Sequence, residues 1–102
     1  MDIPRDLYLK ITECLWIDKF VDKIIGKHNV FPEEIEEVLS NQPLILKLEK
    51  GNVKGEDLYI AFGKTDGGRH LTILFVKKKN SRALVISARD MSKKERKRYG
   101  KK

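Results

Sequence analysis

The 102-residue chain is short of several residue types, and each shortage excludes a class of protein. Its single cysteine, Cys14, cannot form an internal disulfide or anchor a zinc site alone. No apolar run approaches the roughly 20 residues that a membrane span requires, and residues 1–10 lack the apolar stretch of a signal peptide. The two histidines, His28 and His70, lie far apart and outside any metal-ligand spacing. We therefore expect a soluble, cytoplasmic protein that uses no metal or other cofactor.

What the chain has in excess is positive charge, and this charge lies towards its C-terminus. Residues 1–62 hold eight basic and twelve acidic side chains, whereas residues 63–102 hold fourteen basic and three acidic ones. A one-sided basic region is typical of proteins that bind a polyanion such as nucleic acid. A lysine-rich solubilising surface gives the same composition, so charge alone leaves both interpretations open.

Length and a hydrophobic content of 40% predict one domain for the whole chain, and the order of its predicted helices and strands makes it α+β. Alternating apolar residues over 5–12 predict a short strand or an extended arm within residues 1–15. Apolar residues at helical spacing predict two helices over residues 17–40. Asn29 tolerates the left-handed backbone that ends the first helix, and Pro32 suits the first position of the second.

The second half of the chain predicts a four-stranded antiparallel sheet over residues 44–89, because short turns rich in Gly, Asn and Asp separate the apolar runs. The third strand is apolar on both faces near its middle, which predicts a central position with cover on both sides. Ser92 and Glu95 form the pattern of a capping box, which starts a basic helix over residues 92–99. The candidate strands are Leu44–Glu49, Leu58–Lys64, His70–Lys77 and Arg82–Ala88.

The chemistry that remains after these exclusions is metal-free phosphate chemistry by basic side chains. Arginine binds phosphate oxygens in a bidentate manner and stays charged, so it stabilises a pentacoordinate transition state. His28 has an intrinsic pKa suited to general acid–base catalysis near neutrality. RNA carries its own nucleophile, the 2′-hydroxyl, so a small protein can cleave it without a metal ion.

Three segments carry a resemblance to a known family. They are Trp16–Leu39 (WIDKFVDKIIGKHNVFPEEIEEVL), Tyr59–Val76 (YIAFGKTDGGRHLTILFV) and Ile86–Tyr99 (ISARDMSKKERKRY). Together they resemble the BrnT family of type II toxins, which has a RelE-like ribonuclease fold. The resemblance implies an endoribonuclease that cuts RNA, including mRNA on the ribosome, and so blocks translation. It also implies neutralisation by a BrnA-like antitoxin with a ribbon-helix-helix domain, which carries the complex to operator DNA.

The resemblance also implies an active surface. Trp16, Lys27 and Arg89 align with positions of that surface, and His28 aligns with the histidine beside the lysine. Two departures stand out: Asn29 replaces a glycine, and a lysine run at residues 77–79 replaces a strand-end arginine. Lysine keeps the charge of arginine but loses its bidentate fork, which weakens stabilisation of the transition state.

The resulting hypothesis gives each catalytic candidate a role. Arg89 and Lys79 stabilise the phosphate, Lys27 or His28 transfers protons, and Trp16 positions a base. The remaining candidates form a substrate-binding set of basic and aromatic side chains. These are Arg69, Arg82, Lys93, Lys94, Lys97, Arg98 and Tyr99.

Each assignment has a structural alternative. Arg89 can pair with Asp90 or Glu95, Trp16 can pack the first helix on the sheet, and Lys27 can compensate the helix dipole. The whole protein has alternatives as well. It can be a non-catalytic nucleic-acid-binding module, such as a degenerate toxin, or a protein-interaction module with a basic face.

Overall fold

The fold is that of a computed structural model, which describes residues 9–51 and 56–100. The first residues of the predicted N-terminal arm, 1–8, lie outside this part of the chain. So do residues 52–55, which belong to a predicted turn, and residues 101–102 of the basic tail.

Five strands form one mixed sheet in the described part of the chain, in the order β1-β5-β4-β3-β2. The antiparallel meander predicted for four strands is confirmed as β2 to β5. The predicted number of strands is wrong, because β1 pairs in parallel with the start of β5. A strand of three residues is too short to show an alternating pattern. The strands are β1 (Glu13–Leu15), β2 (Leu44–Glu49), β3 (Leu58–Lys64), β4 (His70–Lys78) and β5 (Arg82–Asp90).

Three helices complete the described fold: α1 (Asp18–His28), α2 (Pro32–Ser40) and α3 (Lys93–Tyr99). The first two follow β1 rather than opening the fold. A single 3₁₀ turn, Lys79–Ser81, joins β4 to β5.

Local signals in the sequence explain where the helices begin and end. Asn29 adopts the left-handed conformation (φ 52°, ψ 40°) that terminates α1, as predicted. At the start of α2 the carboxylate of Glu34 accepts the backbone N–H of Phe31 at 3.1 Å, which compensates for a cap residue without a polar side chain. At α3 the predicted capping box is confirmed: Ser92 Oγ accepts the N–H of Glu95 at 3.1 Å, and the Glu95 carboxylate accepts the N–H of Ser92 at 2.9 Å.

The main core lies between one face of the sheet and the first two helices. Leu71, Ile73 and Phe75, which alternate along β4, are fully buried there. Ile35 and Val38 of α2 are also fully buried in the same cluster. Complete removal of these side chains from water makes β4 the central element of the fold.

The opposite face of the sheet has a smaller core beneath α3. Phe62 and Met91 are buried there, together with Leu44 and Leu46 of β2. Further along the same face Leu74, in register with Ile60, is only partly buried. The predicted cover on both sides of the central strand is therefore complete on the α1–α2 side and partial on the α3 side.

The outer edge of β5 is irregular, and this irregularity shapes the surface beside α1. The register between β4 and β5 shifts at Leu74–Phe75, which leaves Ile86 as an extra residue between Val85 and Ser87. Bulges of this kind bend a strand and redirect its side chains, and they are frequent next to functional sites. β1 pairs only with Arg82–Leu84, so the rest of β5 forms an edge against which α1 packs.

Candidate active site

A groove of about 460 Å³ runs between α1 and the bulged edge of β5. Two lysines and a histidine of α1 line it together with a serine of β5, and apolar side chains form its floor. The basic residues Lys19, Lys23 and Lys27 are spaced at i, i+4 and i+8, so they lie along one side of the helix. The full lining consists of Lys19, Phe20, Lys23, Ile24, His28, Ile86 and Ser87.

Only His28 of this groove lining was among the predicted site residues. Lys19 and Lys23 were missed, although their spacing from Lys27 is visible in the sequence. Ser87 could not be found from sequence, because the β5 bulge and the packing of α1 bring it to the groove. The groove combines cations, a hydroxyl and an imidazole, which are the groups that bind and transfer protons to a phosphodiester.

Arg69, at the start of β4, connects the elements around the groove. Its guanidinium donates to the Asp90 carboxylate at 2.8 and 3.2 Å and to the Glu34 carboxylate at 3.1 Å. It also donates to the backbone carbonyls of His28 at 3.1 Å and Asn29 at 2.9 Å. These contacts occupy all five N–H groups of the side chain. Arg69 therefore ties the end of α1 to the start of α2 and the end of β5.

His28 lies at this connection, on the last turn of α1. Arg69 Nη2 donates to the backbone carbonyl of His28 at 3.1 Å, which fixes the main chain at the end of α1. The hydrogen bond from Arg69 lowers the pKa of the Asp90 carboxyl, and the charge of His28 lowers it further. Lys27, on the same turn of α1, is exposed.

Arg89 lies next to this junction, on the α3 side of the sheet. Its guanidinium makes a bidentate pair with Glu95, at 2.7 and 2.8 Å, and donates to the Asp90 carbonyl at 3.2 Å. The predicted structural alternative, pairing with Glu95, is therefore present. In the described structure three of its five N–H groups are used, and the side chain is 42% exposed. Arg89 is fixed in direction and still has donors for a phosphate.

The Glu95 carboxylate is the anchor of this pair. It accepts from both terminal nitrogens of Arg89, from Thr72 Oγ1 at 3.0 Å and from the backbone of Ser92 at 2.9 Å. Chiefly through the Arg89 contact, its pKa falls to about 2. The pair therefore remains ionised throughout the physiological pH range.

The structure does not bring the two predicted phosphate ligands together. Lys79 and Arg82 lie at the β4–β5 hairpin, where Arg82 Nε donates to the Lys79 carbonyl at 3.0 Å. Arg89 lies seven residues beyond Arg82 on the same strand, a distance of about 23 Å at about 3.3 Å per residue. Lys79 and Arg89 cannot act on one phosphate, because an extended strand separates them.

The other predicted binding residues are distributed over two surfaces. The basic residues of α3 are exposed on the side of the sheet opposite α1; they are Lys93, Lys94, Lys97 and Arg98. Tyr99, on the same helix, packs edge-on against His70 with a centroid distance of 5.9 Å. Trp16 is partly buried against the main core, as its structural alternative predicted.

Cys14 has the properties of a packed thiol. It is half-buried in β1 beside the main core, and burial, reinforced by Glu36 and Glu13, raises its pKa to about 11. A thiol with such a pKa is a poor nucleophile at neutral pH. Across residues 9–51 and 56–100, no group of three His, Cys, Asp or Glu side chains is placed to hold a metal ion. No helix in these ranges is long and apolar enough to cross a membrane.

The fold and the groove define a small α+β protein with cationic and acid–base side chains suited to a phosphodiester. The family model of the ribonuclease toxin BrnT of type II toxin–antitoxin systems matches residues 16–95, so the chain belongs to this family. Membership implies an RNA substrate and an antitoxin partner. No curated protein sequence matches the chain.

The fold is also similar to the 1.1 Å crystal structure of the Brucella abortus ribonuclease toxin BrnT. The TM-score is 0.58 at 19% sequence identity, and the match covers 79% of this chain and 97% of that one. At this identity the similarity concerns the fold.

Proposed function

We propose that this chain is an endoribonuclease that cleaves RNA without a metal ion, by attack of the 2′-hydroxyl on the adjacent phosphate. The observation that carries the proposal is the junction at the end of β5. There Arg69 and Asp90 connect His28 to the backbone that holds Arg89. This junction supports the proposal, because it links the backbone of the acid–base candidate His28 to Arg89, which has unused donors.

In this mechanism the protein transfers two protons and neutralises one developing charge. His28 takes the proton of the 2′-hydroxyl, whose oxygen then bonds to phosphorus. Lys27 gives a proton to the departing 5′-oxygen as its bond to phosphorus breaks. The products are a 2′,3′-cyclic phosphate and a 5′-hydroxyl. Arg89 donates its two remaining N–H groups to the non-bridging oxygens, where charge accumulates in the transition state.

The surrounding cations serve to hold the RNA. Lys19 and Lys23 bind the phosphates that flank the cleaved bond in the groove, and Trp16 positions a base. Arg69 contributes indirectly, since its donors hold the backbone around His28. The basic residues at the hairpin and on α3 track the backbone further from the cut; they are Lys79, Arg82, Lys93, Lys94, Lys97 and Arg98. Tyr99 completes this outer surface.

The biological role follows from the same proposal. Cleavage of mRNA, including mRNA on the ribosome, inhibits translation in the cytoplasm. A BrnA-like ribbon-helix-helix antitoxin neutralises the enzyme, and the complex reaches operator DNA through the antitoxin. The proposed likeness to RelE-type ribonucleases rests on the sequence resemblance.

The test is cleavage of a short RNA by the purified protein in EDTA. Wild type is expected to produce 2′,3′-cyclic phosphate ends, and a substrate with a 2′-deoxy nucleotide at the cut is expected to stay intact. His28→Gln and Arg89→Ala are expected to lose about 10²-fold or more in kcat. The matched control is Lys50→Ala, an exposed lysine after β2, at the edge of the sheet opposite β5.

A second candidate function is supported by the Arg89–Glu95 pair, since an arginine engaged by a carboxylate suits a structural role. In that case the protein binds RNA without cleaving it. Salt-dependent binding with no product from wild type would establish this binding module and contradict the enzyme.

A further inference from the structure

The α3 side of the sheet continues beyond the helix as a partly exposed apolar surface. Paired residues on neighbouring strands share a face, so the register identifies its members. Leu74 lies opposite Ile60, and Val76 lies opposite both Leu58 and Leu84. All five side chains are only partly buried. We call this surface the open face: Leu58, Ile60, Leu74, Val76 and Leu84.

The open face is continuous with the small core beneath α3. Ile60 packs against the buried cluster that contains Phe62, and Tyr99 of α3 contacts the same cluster. The helix has seven residues, so it spans about 10 Å and cannot extend over the whole strand length. Apolar surface on the central strands of a sheet is costly to leave in water.

Basic side chains border the open face at both ends. At the hairpin end, Lys78 and Arg82 form the next pair in register after Val76 and Leu84. At the other end stands α3, with exposed Lys93, Lys94 and Lys97.

Few carboxylates offset this charge. Glu56 pairs with Lys78 at 2.8 Å, and Glu95 pairs with Arg89. Glu49 lies in register with Leu58 on β2, the strand at the far edge of the sheet. The border of the open face is therefore predominantly positive.

We infer that the open face binds an acidic amphipathic segment of the antitoxin, with apolar side chains on Leu74, Val76 and Leu84 and carboxylates against the basic borders. Aliphatic side chains favour a protein over RNA here, because single-stranded RNA is held by stacking on aromatic rings. Oppositely charged borders increase the association rate and set the orientation of the segment. The inference rests on the family's antitoxin partner rather than on catalysis.

The candidate groove adjoins the open face at Ser87, which lines the groove and lies in register with Leu74. The rest of the groove lining comes from α1 and from Ile86 at the outer edge of β5, whereas the open face lies on the α3 side of β3, β4 and β5. A segment bound to the open face therefore lies next to the groove at Ser87.

The first experiment uses a cognate BrnA-like antitoxin and measures its affinity for the toxin by titration calorimetry. The double variant Val76→Thr/Leu84→Thr places β-branched residues, which suit a strand, at both positions and removes apolar area from each. We expect this variant to weaken binding by about 30-fold or more while cleaving RNA as wild type does. The matched control, Ile17→Thr/Phe31→Thr, removes two exposed apolar residues from the α1–α2 side and should bind like wild type.

A second experiment needs no substitution and covers the case of a variant that does not fold. Methyl resonances of wild-type toxin are followed as the antitoxin is added. The inference expects changes at Leu74, Val76 and Leu84, with Ile24 and Ile86 of the groove changing less. Larger changes at the groove, or equal affinity of both double variants, would overturn it. Changes on the open face caused by RNA alone, or by raising the toxin concentration alone, would assign the face to RNA or to a second copy instead.

These readouts separate the two proposals. If wild type binds the antitoxin through the open face but leaves RNA intact, the enzyme proposal fails and the docking inference stands. If wild type cleaves RNA but the open-face methyls do not respond to the antitoxin, the docking inference alone fails.

Discussion

The guanidinium of Arg69 forms a bidentate pair with the carboxylate of Asp90, with Nε 2.8 Å from one oxygen and Nη2 3.2 Å from the other. These two residues stand at the start of β4 and the end of β5, where the sheet meets both N-terminal helices. The pair lowers the pKa of Asp90 and raises that of Arg69. Arg69, which was predicted to bind substrate, therefore uses its donors within the protein, where it connects α1, α2 and β5.

Replacing Arg69 by Gln is expected to lower the free energy of unfolding by about 2 kcal/mol, because two carboxylates and two carbonyls lose a shared donor. Lysine should recover part of this, since it restores one charge but not the fork. Urea unfolding provides the measurement, with Arg82→Gln as the matched control, which loses one bond to a backbone carbonyl. An Arg69→Gln protein as stable as the control would show that the connection contributes nothing.

Acid should destabilise the protein through Glu95. Its folded pKa of about 2 lies below its ordinary value of 4.5, so the ionised carboxylate stabilises the fold above about pH 5. That stabilisation, about 2–3 kcal/mol, is lost as the pH falls from about 5 towards 2. Unfolding curves for wild type and Glu95→Gln should therefore differ at pH 7 and converge near pH 2. Parallel pH profiles for the two proteins would contradict the assignment.

Two glycines should respond to alanine in opposite directions. A Cβ at Gly63 would lie 2.8 Å from Val38 Cγ1 and 3.3 Å from Pro43 Cβ, so overpacking between β3 and α2 should cost about 1–3 kcal/mol. A Cβ at Gly26, inside α1, meets nothing within 4 Å, and helix propensity predicts a gain of about 0.5–1 kcal/mol. Thermal unfolding of the two variants tests both signs, and stabilisation by Gly63→Ala would contradict the packing at this contact.

Arg89 and Lys79 should affect different kinetic parameters. Arg89 lies about 23 Å along β5 from Arg82, the residue at the hairpin that contacts Lys79. Arg89→Ala removes donors that act in the transition state, so kcat should fall about 10²-fold. Lys79→Ala removes only an outer phosphate contact, so KM should rise a few-fold with kcat unchanged. Steady-state cleavage of a labelled RNA measures both values. Equal losses of kcat in the two variants would mean that the residues act on one phosphate after all.

Cys14 should react slowly with thiol reagents. Its pKa of about 11, against an ordinary value of 9.0, reduces the thiolate fraction about 100-fold at neutral pH. The rate of alkylation by iodoacetamide at pH 7.5, compared with free cysteine, gives the measurement, and urea-unfolded protein is the control. An alkylation rate of the native protein equal to that of the unfolded protein would show that the thiol in β1 is fully accessible to the reagent.

Several elements of the fold could be predicted because short-range signals specify them. The stop at Asn29, the start at Pro32 and the box formed by Ser92 and Glu95 each depend on residues within one helical turn. The bounds of β2 and β3 were predicted in full, since turn residues flank them. A short strand or arm was predicted within residues 1–15, but its position at Glu13–Leu15 and its parallel pairing with β5 were not, because that pairing is a contact distant in sequence.

The candidate site, like the fold, could be predicted only in part from the sequence. From the sequence, His28 and Arg89 are predicted to be catalytic, and the basic charge towards the C-terminus is predicted to bind phosphate. The sequence could not show that all five N–H groups of Arg69 would form hydrogen bonds within the protein, because the acceptors come from α1, α2 and β5 and the loop after α1. Nor could it separate Lys79 from Arg89, or bring Lys19 and Lys23 to Ser87. Those relations depend on the register of β5 and on the packing of α1 along its edge, which arise only when the sheet is assembled.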